Sequence, residues 1–277
     1  MGRSDEEYFE REVKVKIKEV IKMEIEKEEK EMKELMERIV GLGMEFGIMD
    51  RVKEGVRDWS WMVGVKVEKV EEFIKRVVLG CSLNFNYVEG GIEGLCSEVL
   101  WSWVRKGIFD IRDLDKFNLV EKRKEMFEKC ERWLWKYLWY NGEWSILRYV
   151  VKEEWFWDEL KVVYGGDVVS KRVNLVRMIL KESGIEIWGM DRKEVVVDYN
   201  IMCVMKYLGV IDYEGDFKDN KEYVDEVRKR VYVIVEKLID VSGKDESWLD
   251  GLMFFIGREL RKRGLVNVCL YWGCIDY

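Results

Sequence analysis

The sequence predicts a mostly α-helical protein, a single compact multi-helix domain with at most a small β element, on three observations. Apolar residues recur at three- and four-residue spacing through most of the chain. The segments that carry this period run for about 10 to 20 residues, an ordinary helix length, and most close at Gly or Asn-Gly, where a left-handed residue ends a helix. Strand-like alternation is scarce: KVKIKEV near the start and EVVVDY at 194–199 are the candidates, and both are short.

Taken in order, residues 5–40 are dense in charge and nearly free of helix breakers, with Ile21, Ile25, Met32, Leu35, Met36 and Ile39 on one face. That reads as an amphipathic helix broken at Gly41, Gly43 and Gly47, and residues 1–50 as a charged helical extension before a main domain at 51–277. Helical period then returns in VEKVEEFIKRVVLG, GLCSEVLWSWVRKG and NLVEKRKEMFEKCERWLWKYLWYNG. It continues in SKRVNLVRMILKESG, VDYNIMCVMKYLG, EYVDEVRKRVYVIVEKLIDVSG and LDGLMFFIGRELRKRG. The tryptophans Trp133, Trp135, Trp139, Trp144, Trp155 and Trp157 fall in or beside these segments and are expected in the core.

Composition excludes much chemistry. The 277 residues include no Ala, His, Pro, Gln or Thr. All codons of those five types contain cytosine, whereas the fifteen types present can be spelled without it, so the reading frame looks built or recoded without cytosine. Without His there is no Ser-His or Cys-His nucleophile pair, no His-ligated zinc and no group that titrates near neutrality unperturbed. Any catalysis must run on Asp, Glu, Lys, Cys, Tyr or Arg. Helix ends rest on the 23 Gly and on Asn, Asp and Ser.

The 48 basic residues against 55 acidic ones give a net charge of −7 with both signs interspersed, unlike the basic footprint of a general nucleic-acid binder. A hydrophobic content of 48% argues against disorder. No apolar run of about 18 residues and no signal peptide is present, so a cytoplasmic protein without a membrane span is expected. The six Cys are scattered. Cys269 and Cys274 do not make a closed metal site, and neither metal nor cofactor is expected. Gly90-Gly91 and Gly165-Gly166 are isolated pairs that match no phosphate-binding loop.

The most informative stretch runs from Tyr164 to Tyr213. A Gly-rich turn leads to a helix beginning near Ser170, a good N-cap type, with Lys171 in its first turn. The helix dipole disfavours a cation there, so a nearby anion or reacting group would explain it. Asp198 follows three Val at the start of another amphipathic helix, which places a carboxylate at a helix start and at the mouth of an apolar pocket. It is either a plain N-cap or a partly desolvated catalytic carboxylate.

The Lys-bearing helix followed by a V-D-x-x-[VI] helix start resembles the helix-hairpin-helix N-glycosylase superfamily. Within it, Lys171-Arg172-Val173-Asn174 is similar to the K-T-A-N run of DNA base-excision glycosylases and to the K-R-A-Q run of the queuosine-salvage family, the queuosine 5′-phosphate N-glycosylase/hydrolases. VDYNIMCVMKYLGVIDY resembles that second family's A-D-Y-R-V-P-Q-x-L-R-x-L-G-V-L-x-Y, with departures at Asn200 and Met202. Ser82 to Tyr87 is similar to its A-L-N-F-C-F-W, LCSEVLWSWVRKGIFDIRD to its L-x-x-x-L-x-R-A-x-x-x-G-I-P-I-x-D, and LDGLMFFIG to its I-D-x-x-L-W-x-L-G. VRDWSWMVGVKVEKVEEFI resembles its N-terminal region more weakly. The likeness spans roughly residues 56–264 in the family's order, leaving the first 50 residues and the Cys-containing tail outside.

The resemblance implies an N-glycosidase that hydrolyses queuosine 5′-monophosphate, or a similar modified nucleotide, and releases the base queuine. Asp198 would be the catalytic carboxylate, and Lys171 or Arg172 would contact the phosphate. Asn84, Phe85 and Tyr87 would wall the flat base, Tyr199 would join the substrate-binding set, and Asp250 would meet the queuine side chain. The partner would be a small-molecule nucleotide rather than DNA, with the oligomeric state left open. One alternative is a DNA glycosylase/lyase that uses Lys171 as a Schiff-base nucleophile. Another is a reduced-alphabet scaffold without activity.

Overall fold

The structure is a computed structural model that describes residues 27–53, 65–83, 121–138, 146–211 and 221–266. Helix α1 covers residues 27–45, followed by α2 (Met49–Lys53), α3 (Val70–Leu83), α4 (Glu121–Leu138) and α5 (Ile146–Lys152). Then come α6 (Glu154–Val163), α7 (Lys171–Glu182), α8 (Tyr199–Tyr207), α9 (Lys221–Ser242) and α10 (Glu246–Lys262). Among the described residues there is no strand, so the protein is all-α there, as the periodicity predicts. No helix among them is long and apolar enough to cross a membrane.

The apolar faces close into two clusters. In the first, α3 packs on α4, α5 and α7, burying Phe73, Val77, Cys130, Leu134, Phe156, Leu160, Val176 and Ile179. In the second, α8 lies against α9 and α10, with Ile201, Val204, Met205, Val231, Leu252 and Ile256 inside. Residues 27–50, read from sequence as an extension, supply Leu35, Met36, Ile39, Leu42 and Ile48 to this second cluster. Arg38 of α1 also donates through Nη2 to the Leu208 carbonyl at the end of α8, at 2.7 Å.

Three sequence expectations change. The helix of the N-terminal region runs through Gly41 and Gly43 to residue 45 and ends only at Gly47, whose φ is +66°. Gly43 serves close packing instead of breaking the helix: a Cβ there would stand 2.8 Å from the Leu252 side chain and 2.9 Å from the Met49 sulfur. Two of the tryptophans expected in the core, Trp135 and Trp155, are 46% and 43% exposed, because they sit on the solvent sides of α4 and α6. Trp133 and Trp157 are buried as expected, while Trp139 and Trp144 lie outside the described residues.

The third change concerns EVVVDY. It forms no strand; it is an unpaired connection leading into α8. Its alternation is nonetheless real. Val195 and Val197 enter the second cluster while Val196 enters the first, so three successive valines stitch the two cores together. KVKIKEV lies outside the described residues.

One face of α7 holds this connection in place. Asn174, Arg177 and Lys181 share that face by their three- and four-residue spacing. Asn174 Nδ2 donates to the carbonyls of Val169 (3.1 Å) and Val195 (2.7 Å). Arg177 pairs through Nε with Glu194 at 2.6 Å, donates through Nη2 to the Trp188 and Gly189 carbonyls, and stacks 4.7 Å from the Trp157 ring. Lys181 Nζ donates to the Arg192 carbonyl at 2.8 Å. The buried Val195 carbonyl contact and the Arg177–Glu194 pair thus give this irregular segment partners from α7, and the start of α8 is set relative to that helix.

Candidate functional site

The helix starts of α7 and α8 bring the two leading sequence candidates into one electrostatic neighbourhood. Lys171, the first residue of α7, is half-buried, and its ammonium meets no hydrogen-bond or ion-pair partner among the described residues. Burial lowers its pKa. The Asp198 charge opposes that shift most strongly, while Arg228 and Arg172 add to it. An amine so placed is disfavoured as a cation by burial, and the Asp198 charge partly offsets that.

Asp198 is the N-cap of α8. Its Oδ1 accepts the Ile201 amide at 2.9 Å, and its Oδ2 accepts Asn200 Nδ2 at 2.9 Å. Both readings of this residue therefore share one geometry: the carboxylate caps the helix and is held in a defined orientation by the Ile201 amide and the Asn200 side chain. Cys203, one turn further along, is no rival nucleophile. Burial, with a smaller push from Asp198, raises its thiol to about 11 against the opposing effects of Arg261 and Tyr199.

The start of α7 differs from expectation. Ser170 occupies the N-cap position, but its φ is +50° and its hydroxyl makes no capping bond. Among the described residues it is the one non-glycine with a positive φ. That conformation costs a β-carbon residue roughly 1 kcal/mol. Asp167 does the capping instead, accepting the Lys171 amide through Oδ2 at 2.9 Å. The same carboxylate receives Arg228 from α9 at 2.6 Å and 3.1 Å, a buried two-pronged pair. The left-handed turn at Ser170 is thus held by flanking contacts that over-determine it.

Arg172 is buried and donates through Nη1 to the Tyr164 carbonyl at 2.8 Å, bracing the end of α6. Tyr199 is buried in the second cluster under the Arg261 guanidinium, 4.8 Å from its ring centre. Asp250 is half-buried, one turn into α10, because that helix starts earlier than the sequence suggests: Asp245 is its N-cap and accepts the Trp248 amide at 2.7 Å. Asn84, Phe85, Tyr87, Cys269 and Cys274 lie outside the described residues.

Four polar residues around the site carry no clear sequence signal of their role: Asp167, Asn200, Arg228 and Arg261. Arg228 sits mid-helix and Arg261 in a basic helix end, where a solvated role is the ordinary expectation. Asp167, three residues before Ser170 and just past Gly165-Gly166, is the most readable of them, since a carboxylate there can reach the helix start. Among the described residues no group of three or more Cys, Asp and Glu could hold a metal ion.

In chemical terms the site offers one oriented carboxylate, one desolvated amine and a bracing network behind each. No protein family, curated protein or solved structure matches this chain.

Proposed function

We propose that the protein is an N-glycosidase that cleaves queuosine 5′-monophosphate, or a close modified nucleotide, to release queuine and ribose 5-phosphate. The observation that supports this reading is the Asp198 carboxylate at the start of α8, held on one oxygen by the Ile201 amide and on the other by Asn200 Nδ2, with the cationic Lys171 at the start of the preceding helix. In the reaction, the bond between C1′ and the glycosidic nitrogen breaks and its electron pair leaves with the base. Asp198 stabilises the oxocarbenium-like sugar and takes a proton from the water whose oxygen bonds to C1′. The departing base gains a proton from solvent, so the sum is hydrolysis. Lys171 attracts the 5′-phosphate as a single local cation, which suits a net-acidic protein acting on a mononucleotide.

Incubation with queuosine 5′-monophosphate, following free queuine by mass spectrometry, tests the reading. The expected result is release by the parent and none by Asp198→Asn. A folded parent that releases no queuine overturns it, and abasic-site formation in oligonucleotides carrying damaged bases is then the test that precedes the inert-scaffold reading.

The lowered pKa of Lys171 favours a second reading, a DNA glycosylase/lyase with that amine as nucleophile. Borohydride would then trap the chain on an oligonucleotide carrying an abasic site, and binding would weaken steeply with salt. Turnover of a mononucleotide would lack that salt dependence.

A further inference from the structure

We infer that Asn200 is a positioning residue for the Asp198 carboxylate, with its amide turned to that task by Arg261. The inference deepens the N-glycosidase reading and rests on it for its catalytic meaning. Arg261 Nη2 donates to Asn200 Oδ1 at 2.7 Å, and Asn200 Nδ2 donates to Asp198 Oδ2 at 2.9 Å. A guanidinium has donors only, so it accepts just one orientation of the asparagine amide: oxygen toward Arg261, nitrogen toward Asp198. Together with the Ile201 amide on Oδ1, this gives each carboxylate oxygen its own donor and fixes the plane in which the remaining lone pairs lie.

The packing of α10 on α8 serves the same contact. A Cβ on Gly257 would stand 2.4 Å from the Asn200 carbonyl oxygen and 2.7 Å from its Cα, so α10 rests directly on the Asn200 backbone. Arg261 follows Gly257 by one turn, on the same face, and this close approach brings it within reach of the Asn200 side chain. Arg261 also lies over the Tyr199 ring, and its Nε is buried with no acceptor. Leaving that donor unmet is unfavourable, and the Nη2 bond to Asn200 and the stacking on Tyr199 are the contacts that offset it.

The test joins kinetics with an activity-free readout. Asn200→Leu and Arg261→Met are each expected to lower kcat for queuosine 5′-monophosphate by about tenfold to a hundredfold and to leave KM unchanged, since misplacing a catalytic group costs rate. The double variant falls no further than Asn200→Leu alone, because Arg261 acts through Asn200, and Arg261→Lys, which keeps a donor, recovers most of the rate. In ¹⁵N spectra of the full chain, the Asn200 side-chain amide is expected to shift in both Asp198→Ser and Arg261→Met. Unchanged kcat in Asn200→Leu, or additive losses in the double variant, overturns the inference. So does an Asn200 amide indifferent to both partners. A parent that releases no queuine but whose Asn200 amide responds to both substitutions refutes the glycosidase and leaves the orientation of Asn200 standing.

Discussion

The Arg228 guanidinium grips both oxygens of the Asp167 carboxylate, and that same carboxylate caps α7 at the Lys171 amide. Burial alone would raise the pKa of Asp167, but the Arg228 charge and hydrogen bonds, with the Lys171 amide, outweigh it and leave the carboxyl below its ordinary value. One contact thus ties α9 to the turn that presents Lys171. Asp167→Ala leaves Arg228 charged and buried without this partner, and is expected to cost about 3–5 kcal/mol in urea unfolding. Replacing the pair together by Leu and Met is expected to recover most of that loss. A folded pKa below the unfolded one means the stabilisation is complete above the ordinary carboxylate pKa. It is lost as pH falls through the lowered value, so the difference between parent and Asp167→Ala shrinks in acid.

Gly257 and Gly41 predict opposite outcomes for the same substitution. Gly257→Ala forces backbone against backbone at Asn200 and is expected to destabilise by roughly 3 kcal/mol, measured by thermal or urea unfolding. Gly41 lies within α1, and a β-carbon there would meet nothing within 4 Å, so Gly41→Ala gains helix propensity, about 0.5–1 kcal/mol.

Lys171→Met is expected to stabilise the fold at neutral pH while removing the proposed phosphate contact. Burial lowers the ammonium's pKa, so the folded state holds the charge less readily than the unfolded state does. Parent stability therefore rises as pH climbs through the lowered pKa toward the ordinary lysine value. The advantage of Lys171→Met should be largest below that window and shrink above it. Chemical denaturation across this range checks the sign.

Asp198 can be separated into its two roles. Asn caps a helix about as well as Asp, whereas Ala costs about 1 kcal/mol at such a position. Asp198→Asn keeps the Ile201 cap but sets its NH2 against Asn200 Nδ2, so it is expected to lower the unfolding midpoint less than Asp198→Ala does while losing queuine release. Asp198→Ala loses both the cap and the release. Equal activity in the parent and Asp198→Asn would make Asp198 a cap alone.

Much of the helix content is readable because period and punctuation are local. The ends of α7 and α8 fall just before Gly184 and Gly209, both left-handed, as C-terminal glycines should be. Lys171 and Asp198 are readable as helix-start residues for the same reason. EVVVDY looks like a strand because alternation reports only which sides a segment buries, and here the two sides are two different cores instead of the faces of a sheet.

The sequence by itself determined that the described part of the chain is helical, where α7 and α8 begin and end, which faces are apolar, and that chemistry must run without histidine. Tertiary structure alone decided that Asp167 rather than Ser170 caps α7, that Arg228 reaches it from 61 residues away, and that Arg261 crosses an equal separation to orient Asn200. The physical reason is that a buried charged group takes its role from whichever partner packing delivers. That delivery depends on helices meeting as closely as α10 meets α8 at Gly257, a contact no local pattern encodes.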